Sequence, residues 1–234
     1  GRHKTSLEEF FDHNYELEDI LAKQGKTELL KLAQKISDYV NVISVRQKRP
    51  LGLGHAVHCA KSVVGNEPFA VLLGDEVMVG TPTVTAQLAS VYEREGQSVI
   101  AVMEVPKQDV KKYGIAELEQ TKDDRTFRCV GVTEKPDPAQ AKSRWALPGR
   151  YVFTPEIFEE LEKTKPSKGG EIQLTDAIVS LMKRQGVLGY SFTGKRFDTG
   201  DKLGFVTANI EFALGHPEIG GELKAYLHEL SKRL

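Results

Sequence analysis

The stretch Phe69-Ala70-Val71-Leu72-Leu73-Gly74-Asp75-Glu76 joins a short apolar run almost directly to a pair of carboxylates. A continuous apolar run of this length is typical of a parallel strand that is buried on both faces. In open α/β sheets, ligands bind at the carboxyl ends of such strands. We therefore predict a buried strand over 69–73, followed by a polar turn that faces a ligand.

The segments that flank this run alternate between strand and helix patterns. Residues 42–45 and 98–105 have strand patterns, whereas residues 55–64 and 83–95 have helical patterns. Alternation of this kind implies right-handed βαβ units and a mixed, mainly parallel central sheet with helices on both faces. The sequence therefore predicts a three-layer α/β/α fold.

The rest of the chain supplies further helices and a second group of strands. Residues 16–36 are predicted to be helical around a break at Gly25, and residues 1–4 are predicted to end a loop that enters the first helix. Between 115 and 153 the strand patterns have no long helices between them, which indicates an antiparallel or mixed part of the same sheet. These strands are predicted at 115–118, 127–132 and 150–153. After them we predict helices at 155–163 and 174–185, a strand at 187–192, and two further helices at 202–214 and 222–234. We predict one domain over residues 1–234, with a helical C-terminal extension at 201–234.

The composition excludes several classes of protein. With 40% hydrophobic and 28% charged residues, the sequence is typical of a globular protein rather than a disordered one. Its net charge is −1 and its Lys and Arg residues are spread out, which argues against a nucleic-acid partner. No apolar run approaches the roughly 20 residues of a membrane helix, so no membrane partner is expected. Cys59 and Cys129 lack metal-site spacing, which indicates two thiols in a reducing cytoplasm.

A first candidate site is the segment Arg46-Gln47-Lys48-Arg49-Pro50-Leu51-Gly52-Leu53-Gly54-His55-Ala56, which follows a predicted strand and opens a predicted helix. Gly52 and Gly54 would let the backbone approach a flat base or a phosphate closely. Gln47 carries both donors and acceptors, which suits a base edge. A lone G-x-G is otherwise an ordinary strand-to-helix turn, and the missing third glycine argues against NAD.

Carboxylates and a lysine follow other predicted strands. Asp75 is a natural ligand for Mg²⁺, which favours one or two carboxylates together with substrate phosphates, although a turn aspartate that bonds its own backbone has the same pattern. Glu134 can accept hydrogen bonds from sugar hydroxyls and Lys135 offers a point charge for a phosphate; a solvated surface pair is the alternative. Asp198 is either a second metal ligand or part of a turn that caps the next helix.

In order and type, these segments resemble the bacterial UTP–glucose-1-phosphate uridylyltransferases over essentially the whole chain. The stretch Pro50-Leu51-Gly52-Leu53-Gly54-His55-Ala56 is the most specific piece, because it separates this family from the thymidylyl and adenylyl relatives. The other matching segments are Leu72-Leu73-Gly74-Asp75, Tyr113-Gly114-Ile115, Glu134-Lys135-Pro136, Gly149-Arg150-Tyr151, Gly170-Glu171-Ile172-Gln173-Leu174-Thr175-Asp176 and Lys195-Arg196-Phe197-Asp198-Thr199-Gly200-Asp201-Lys202-Leu203-Gly204.

The resemblance implies a Rossmann-like nucleotidyltransferase fold and a Mg²⁺-dependent conversion of UTP and glucose 1-phosphate to UDP-glucose and pyrophosphate. It also implies a cytoplasmic homodimer or homotetramer, with Lys135 and Asp75 as catalytic residues. The roles implied for individual residues are uracil contacts for Gln47 and Gly52, Mg²⁺ binding for Asp75 and Asp198, glucose contacts for Gly114, Glu134 and Glu171, a phosphate contact for Lys135, and a weaker phosphate contact for Lys195.

The sequence departs from the family's pattern at its start. The family begins with a strand and a G-x-G-T-R loop followed by a lysine, which grips the triphosphate, and this sequence begins after that segment. We therefore expect that roughly 60 residues precede it, since a βαβ unit takes 30 or more. The alternative is a truncated sugar-nucleotide-binding module without turnover. A transferase that uses UDP-glucose as donor is disfavoured, because Gly74-Asp75-Glu76 stands where such enzymes carry D-x-D.

Overall fold

The structure, a computed structural model, describes residues 5–167 and 169–233. Residues 1–4, for which the sequence predicts the end of a loop, lie outside the described residues, as does Leu234 at the end of the last predicted helix.

The described residues form helices at both ends and a centre that is rich in strands. The helices are α1 (Thr5–Phe11), α2 (Tyr15–Lys23), α3 (Thr27–Tyr39), α4 (Leu53–Cys59), α5 (Lys61–Val64), α6 (Val84–Glu95), α7 (Ile157–Lys163), α8 (Leu174–Gln185), α9 (Lys202–Leu214) and α10 (Gly220–Ser231). The strands are β1 (Phe69–Leu72), β2 (Glu76–Val79), β3 (Ser98–Glu104), β4 (Gly114–Gln120), β5 (Thr126–Glu134), β6 (Trp145–Ala146), β7 (Arg150–Phe153), β8 (Val187–Ser191) and β9 (Lys195–Asp198). The predictions for α8, α9 and β7 are confirmed to the residue.

Helices pack on both sides of the main sheet, as predicted. Strand β3 is buried along most of its length, and its side chains alternate between two hydrophobic clusters. Val99 and Ala101 pack with residues of α6, whereas Ile100 and Val102 pack with residues of α7 and α8. Because successive side chains of a strand point to opposite faces, an all-apolar strand requires helices on both sides. The three-layer prediction is confirmed.

The main sheet has the order β1-β7-β3-β6-β4-β5-β8, with an additional β3–β8 pairing. It is mixed, as expected, but the expectation that parallel pairing predominates needs correction. Only β3–β8 is parallel among the pairings of the described residues, and the others are antiparallel. The apolar run of β3 predicted its burial correctly, but burial on both faces does not specify strand direction.

Two predictions about single strands were wrong. Residues 42–45 form no strand and pair with none among the described residues, and Ile43 is 67% exposed. A strand needs a partner for its backbone hydrogen bonds, which a local pattern cannot supply. Strand β1 is not buried on both faces: it pairs antiparallel with β7 at one end of the sheet order, and Leu72 is exposed.

A second, two-stranded sheet was missed by the sequence analysis. Strands β2 and β9 pair antiparallel, with Glu76 opposite Asp198 and Val79 opposite Lys195. Both strands have only four residues. Strand β9 carries three charged side chains, whereas β2 has a short apolar run at 77–79 that the sequence analysis did not assign to a strand. No described helix is both long enough and apolar enough to cross a membrane.

Candidate active site

A cavity of about 310 Å³ opens beside the ends of several strands. The segments around it follow β1, begin β4, end β5 and β9, and precede α8. Among the residues that line it are six that the sequence analysis selected: Asp75, Gly114, Glu134, Lys135, Glu171 and Asp198. These six residues, which lie up to 123 positions apart in the chain, therefore meet in one space.

One side of the cavity is built on the β4–β5 pairing. Gly114 and Glu134 are direct register partners, and a side chain at Gly114 would lie 3.4 Å from Glu134 Oε2. Next to this pair, Lys135 has φ of 42°, a left-handed conformation that is uncommon for a residue other than glycine. Its backbone N–H donates to the Tyr113 carbonyl over 3.0 Å, which holds the turn. Non-glycine residues in this conformation concentrate at functional sites.

Thr175, at the start of α8, is a site residue that the sequence analysis missed. It lines the cavity, is 7% exposed, and its Oγ1 has no hydrogen-bond partner among the described residues. Its Cγ2 would lie 2.8 Å from a side chain at Gly114. An unpaired buried hydroxyl costs free energy unless a ligand supplies its partner. The segment Gly170–Asp176 had been noted as a motif, but only Glu171 was selected from it.

The other side of the cavity carries carboxylates. A side chain at Gly200 would lie 3.1 Å from Asp75 Oδ2 and 3.2 Å from Asp198 Oδ1, so both carboxylates approach one point that only glycine leaves open. Thr199 ties the two loops together, because its N–H and its hydroxyl donate to the Asp75 carbonyl over 2.8 and 2.9 Å. This geometry brings together two groups that the sequence placed in separate loops.

These two carboxylates fit Mg²⁺, although in different degrees. The carboxylate of Asp75 has no hydrogen-bond partner in the described part of the chain, so it is free to bind a cation. Asp198 Oδ1 already accepts backbone N–H groups of Gly200 and Asp201, over 3.1 and 3.2 Å. No group of three or more His, Cys, Asp or Glu side chains is placed for a metal among the described residues. A Mg²⁺ ion here would therefore need substrate phosphates to complete its ligands, as is usual for this ion.

The turn after β9 also caps a helix, as one of the two sequence interpretations of this segment predicted. Asp201 is the N-cap of α9, and its carboxylate accepts the Gly204 N–H over 3.0 Å. Asp198, three residues earlier, lines the cavity instead. The capping role thus belongs to Asp201, while the Asp198 carboxylate at the cavity accepts hydrogen bonds from Gly200, Asp201 and Arg196.

Glu76 and Arg196 are further residues that the sequence analysis did not select. Glu76 lines the cavity at the start of β2, and its carboxylate pairs with the Arg196 guanidinium on β9. Burial raises the pKa of Glu76, and the hydrogen bond and charge of Arg196 oppose that rise. Neither residue had a sequence signal beyond its place beside Asp75 or Asp198.

The glycine-rich loop before α4 packs against the loop that carries Glu171. Gly54 N–H donates to the Ile172 carbonyl over 2.9 Å, and Ile172 N–H donates to the Leu51 carbonyl over 2.7 Å. Gly52 has φ of 94°, and a side chain there would lie 2.8 Å from the Ile172 oxygen. The sequence analysis attributed these glycines to a ligand's close approach. In the structure, the backbone of Ile172 approaches both glycines closely.

Three of the selected residues lie outside the cavity lining. Gly52 directly precedes Leu53, which lines the cavity. Gln47 is joined to Gly52, because its Nε2 donates to the Gly52 carbonyl over 3.1 Å. Lys195 is exposed on β9, and its Nζ lies 2.9 Å from Glu211 Oε2 on α9. The structure therefore does not bring Lys195 together with the other phosphate candidate.

Comparison with known proteins gives a consistent set of relatives. Residues 5–213 match the nucleotidyl transferase family. A curated UTP–glucose-1-phosphate uridylyltransferase of Staphylococcus epidermidis is 46% identical over 98% of this chain and 80% of its own length. A UTP-bound UGPase from Acinetobacter baumannii matches with a TM-score of 0.88 at 40% identity, over 98% of this chain and 80% of that chain. A UDP-glucose pyrophosphorylase complexed with UDP-glucose matches with a TM-score of 0.83 at 37% identity, over 92% of this chain and 79% of that chain.

Proposed function

This chain belongs to the nucleotidyl transferase family and, within it, to the bacterial UTP–glucose-1-phosphate uridylyltransferases, and on that premise we propose that it catalyses the reaction for which those relatives are named. The substrates are UTP and glucose 1-phosphate, and the products are UDP-glucose and pyrophosphate. The observation that carries the proposal is the meeting of Asp75, Gly114, Glu134, Lys135 and Asp198 around one cavity.

In the proposed reaction, an oxygen of the glucose 1-phosphate attacks the α-phosphorus of UTP in line. A new P–O bond forms between the sugar phosphate and the α-phosphate, and the bond to the β-phosphate oxygen breaks, so that pyrophosphate leaves. Such a transfer depends on positioning and charge stabilisation more than on covalent chemistry by the protein. The cavity's lining of charged and polar side chains suits that requirement.

The sugar side of the cavity supplies the positioning. Glu134 accepts hydrogen bonds from sugar hydroxyls, and Glu171 offers a second carboxylate. Gly114 leaves the space that the sugar needs, and the unpaired Thr175 hydroxyl gains a partner from the ligand. The exposed Lys135 ammonium, 3.8 Å from Glu134 Oε1, binds the sugar phosphate and reduces the repulsion between the two approaching phosphates. Lys195 remains a weaker phosphate candidate, outside the cavity.

Asp75 and Asp198 would hold Mg²⁺, because their oxygens face one point and Asp75 has no competing hydrogen bond in the described part of the chain. When bound, Mg²⁺ neutralises phosphate charge and orients the phosphates. Beside Leu53, at the margin of the cavity, Gln47 and Gly52 bind the uracil ring, and the Gln47 amide faces the base edge.

We further propose a cytoplasmic homodimer or homotetramer formed by one domain. Two free thiols, Cys59 and Cys129, fit a reducing compartment. Exposed apolar side chains on α9 support self-association, because large apolar patches mark interaction surfaces; these are Leu203, Phe205, Val206 and Phe212.

The test uses the purified full-length gene product with UTP, glucose 1-phosphate and Mg²⁺. We expect UDP-glucose and pyrophosphate in equal amounts, measured by anion-exchange chromatography. Absence of UDP-glucose above a no-enzyme control would contradict the proposal.

A further inference from the structure

Arg196 makes an unusually complete set of contacts for a residue without an assigned role. Its side chain is 14% exposed, and that of Glu76 is 8% exposed. Arg196 Nε donates to Glu76 Oε2 over 2.5 Å, and its NH2 group donates to Glu76 Oε1. Two parallel bonds of this kind fix both the distance and the orientation of an arginine–carboxylate pair.

The same guanidinium separates two carboxylates that face each other. Glu76 and Asp198 are direct register partners on β2 and β9, and like charges in such positions destabilise a sheet. The Arg196 NH2 group also donates to Asp198 Oδ2 over 3.1 Å, so one cation lies against both carboxylates. Lysine carries the same charge but lacks the planar fork that reaches two carboxylates at once.

Arg196 also reaches the sugar side of the cavity. Its NH1 group donates to the Tyr113 hydroxyl over 3.0 Å, and its guanidinium carbon lies 5.1 Å from the centre of the Tyr113 ring. Tyr113 precedes Gly114, and its carbonyl accepts the Lys135 N–H. Through one side chain, the carboxylates of the small sheet are therefore joined to the turn that presents Glu134 and Lys135.

This connection matters because the two sheets share no strand pairing among the described residues. Within that part of the chain, the position of β2–β9 relative to β4 depends on side chains and loops. A second buried side chain also joins the two sheets: the NH2 group of Arg150 on β7 donates to the Glu76 carbonyl over 3.1 Å, but it has no hydrogen bond to the Tyr113 turn among the described residues. Among these contacts, Arg196 alone reaches both the carboxylates of the small sheet and the Tyr113 turn.

We propose that Arg196 is a positioning residue that fixes the spacing between the carboxylates of the β2–β9 sheet and the Tyr113–Lys135 side of the cavity, and thereby sets the affinity for a nucleoside diphosphate sugar. The inference rests on the proposed function, because it takes UDP-glucose as the ligand that spans both sides. Arg196 acts through Asp198 and Tyr113 and is not itself a catalytic residue.

The test measures UDP-glucose binding to the full-length gene product by isothermal titration calorimetry, together with urea unfolding. The variants are Arg196→Lys, Tyr113→Phe and the double variant, and the matched control is Arg144→Lys, which changes an exposed pair with Glu104. We expect the dissociation constant to rise about tenfold in Arg196→Lys and about threefold in Tyr113→Phe, from the loss of charged and neutral hydrogen bonds. The double variant should bind no more weakly than Arg196→Lys, because both changes break one connection.

Tyr113→Phe keeps the ring and removes only the hydroxyl, so it tests the proposal even if Arg196→Lys fails to fold. Unchanged UDP-glucose affinity in Tyr113→Phe would overturn the proposal, and so would additive losses in the double variant. A purely structural role predicts lower stability with unchanged affinity of the folded protein. If the unmodified protein binds no UDP-glucose, the proposed function fails and this inference fails with it. If the unmodified protein binds UDP-glucose and the variants bind it with the same affinity, this inference alone fails.

Discussion

The carboxylate of Glu134 lies over Gly114, its register partner on the neighbouring strand, and the methyl group of Thr175 closes the same space from the other side. A side chain at Gly114 would approach Thr175 Cγ2 to 2.8 Å. A side chain at residue 114 would therefore collide with Thr175 at this wall of the cavity. This relationship gives a direct steric test of where the sugar binds.

We expect Gly114→Ala to raise the dissociation constant for UDP-glucose about tenfold, because overpacking of a tight site typically costs 1–3 kcal/mol. Thr175→Ser removes Cγ2 but keeps the hydroxyl, so the double variant Gly114→Ala/Thr175→Ser should recover most of the affinity. Calorimetric titration of the single and double variants checks this expectation. A double variant that binds as weakly as Gly114→Ala would show that the Thr175 methyl group is not the obstacle.

Glu134→Gln and Lys135→Ala should affect different kinetic parameters. The first keeps the shape of the side chain but loses charge-assisted bonds to sugar hydroxyls, worth about 1.5–3 kcal/mol, so it should mainly raise KM for glucose 1-phosphate. The second removes charge where two phosphates approach each other, so it should lower kcat as well. Initial-rate measurements over a range of glucose 1-phosphate concentrations separate the two effects. Identical profiles would argue against this division of roles.

Asp75→Asn should abolish Mg²⁺-dependent turnover and leave the fold intact, because the Asp75 carboxylate faces the cavity and bonds no other described residue. Its backbone carbonyl, which accepts from Thr199, is unaffected by the change. Binding of Mn²⁺ in the presence of UTP, followed by electron paramagnetic resonance, should weaken at least tenfold by loss of one charged ligand. Asp124→Asn, a change on an exposed turn, is the control. Strong Mn²⁺ binding by Asp75→Asn would refute the metal role.

Four of the cavity's residues, Asp75, Glu134, Lys135 and Asp198, were selected because they lie where strands end and the fold gathers its loops. Gly114 and Glu171 were selected from the family resemblance. The sequence did not predict Thr175, Glu76 or Arg196, since their roles depend on contacts between distant segments. Arg196 and Glu76 are 120 positions apart, and no local pattern links them. The small sheet was missed for the same reason: its strands have four residues each, β9 is mostly charged, and only the pairing of two distant segments identifies them as a sheet.

The relative direction of the strands in the main sheet was harder to predict than the burial of β3. The apolar alternation of β3 between two clusters follows from its composition, whereas the antiparallel approach of β7 depends on the path of the chain from β6. Gly52 gives a similar lesson. The structure adds a constraint that no local pattern could reveal: a side chain at Gly52 would lie 2.8 Å from the carbonyl oxygen of Ile172, 120 positions away in sequence.

His55 should control the choice of base through Gln47. The Gly52 carbonyl can only accept, so Gln47 Nε2 faces it, and the same nitrogen lies 3.0 Å from His55 Nδ1. Both amide hydrogens are thus used, which leaves Gln47 Oε1 for the N3–H of uracil; cytosine has no such hydrogen. We expect His55→Leu to let the amide turn and to reduce the UTP-over-CTP ratio of kcat/KM about tenfold, as expected for one lost polar contact.

The control for this prediction is Cys59→Ala. Cys59 Sγ lies 3.9 Å from the His55 ring, and no hydrogen bond joins it to Gln47 among the described residues. The control should keep the preference for UTP. An unchanged ratio in His55→Leu would mean that Gln47 is held without His55.

The central claim, nucleotidyl transfer at the α-phosphorus, is tested most directly by following labelled phosphate. The full-length gene product is incubated with glucose 1-phosphate, Mg²⁺ and UTP that carries ³²P at either the α- or the γ-position. Our account predicts that the α-label appears in UDP-glucose and the γ-label in pyrophosphate. Transfer of the γ-label to the sugar, or its release as inorganic phosphate without UDP-glucose, would contradict it.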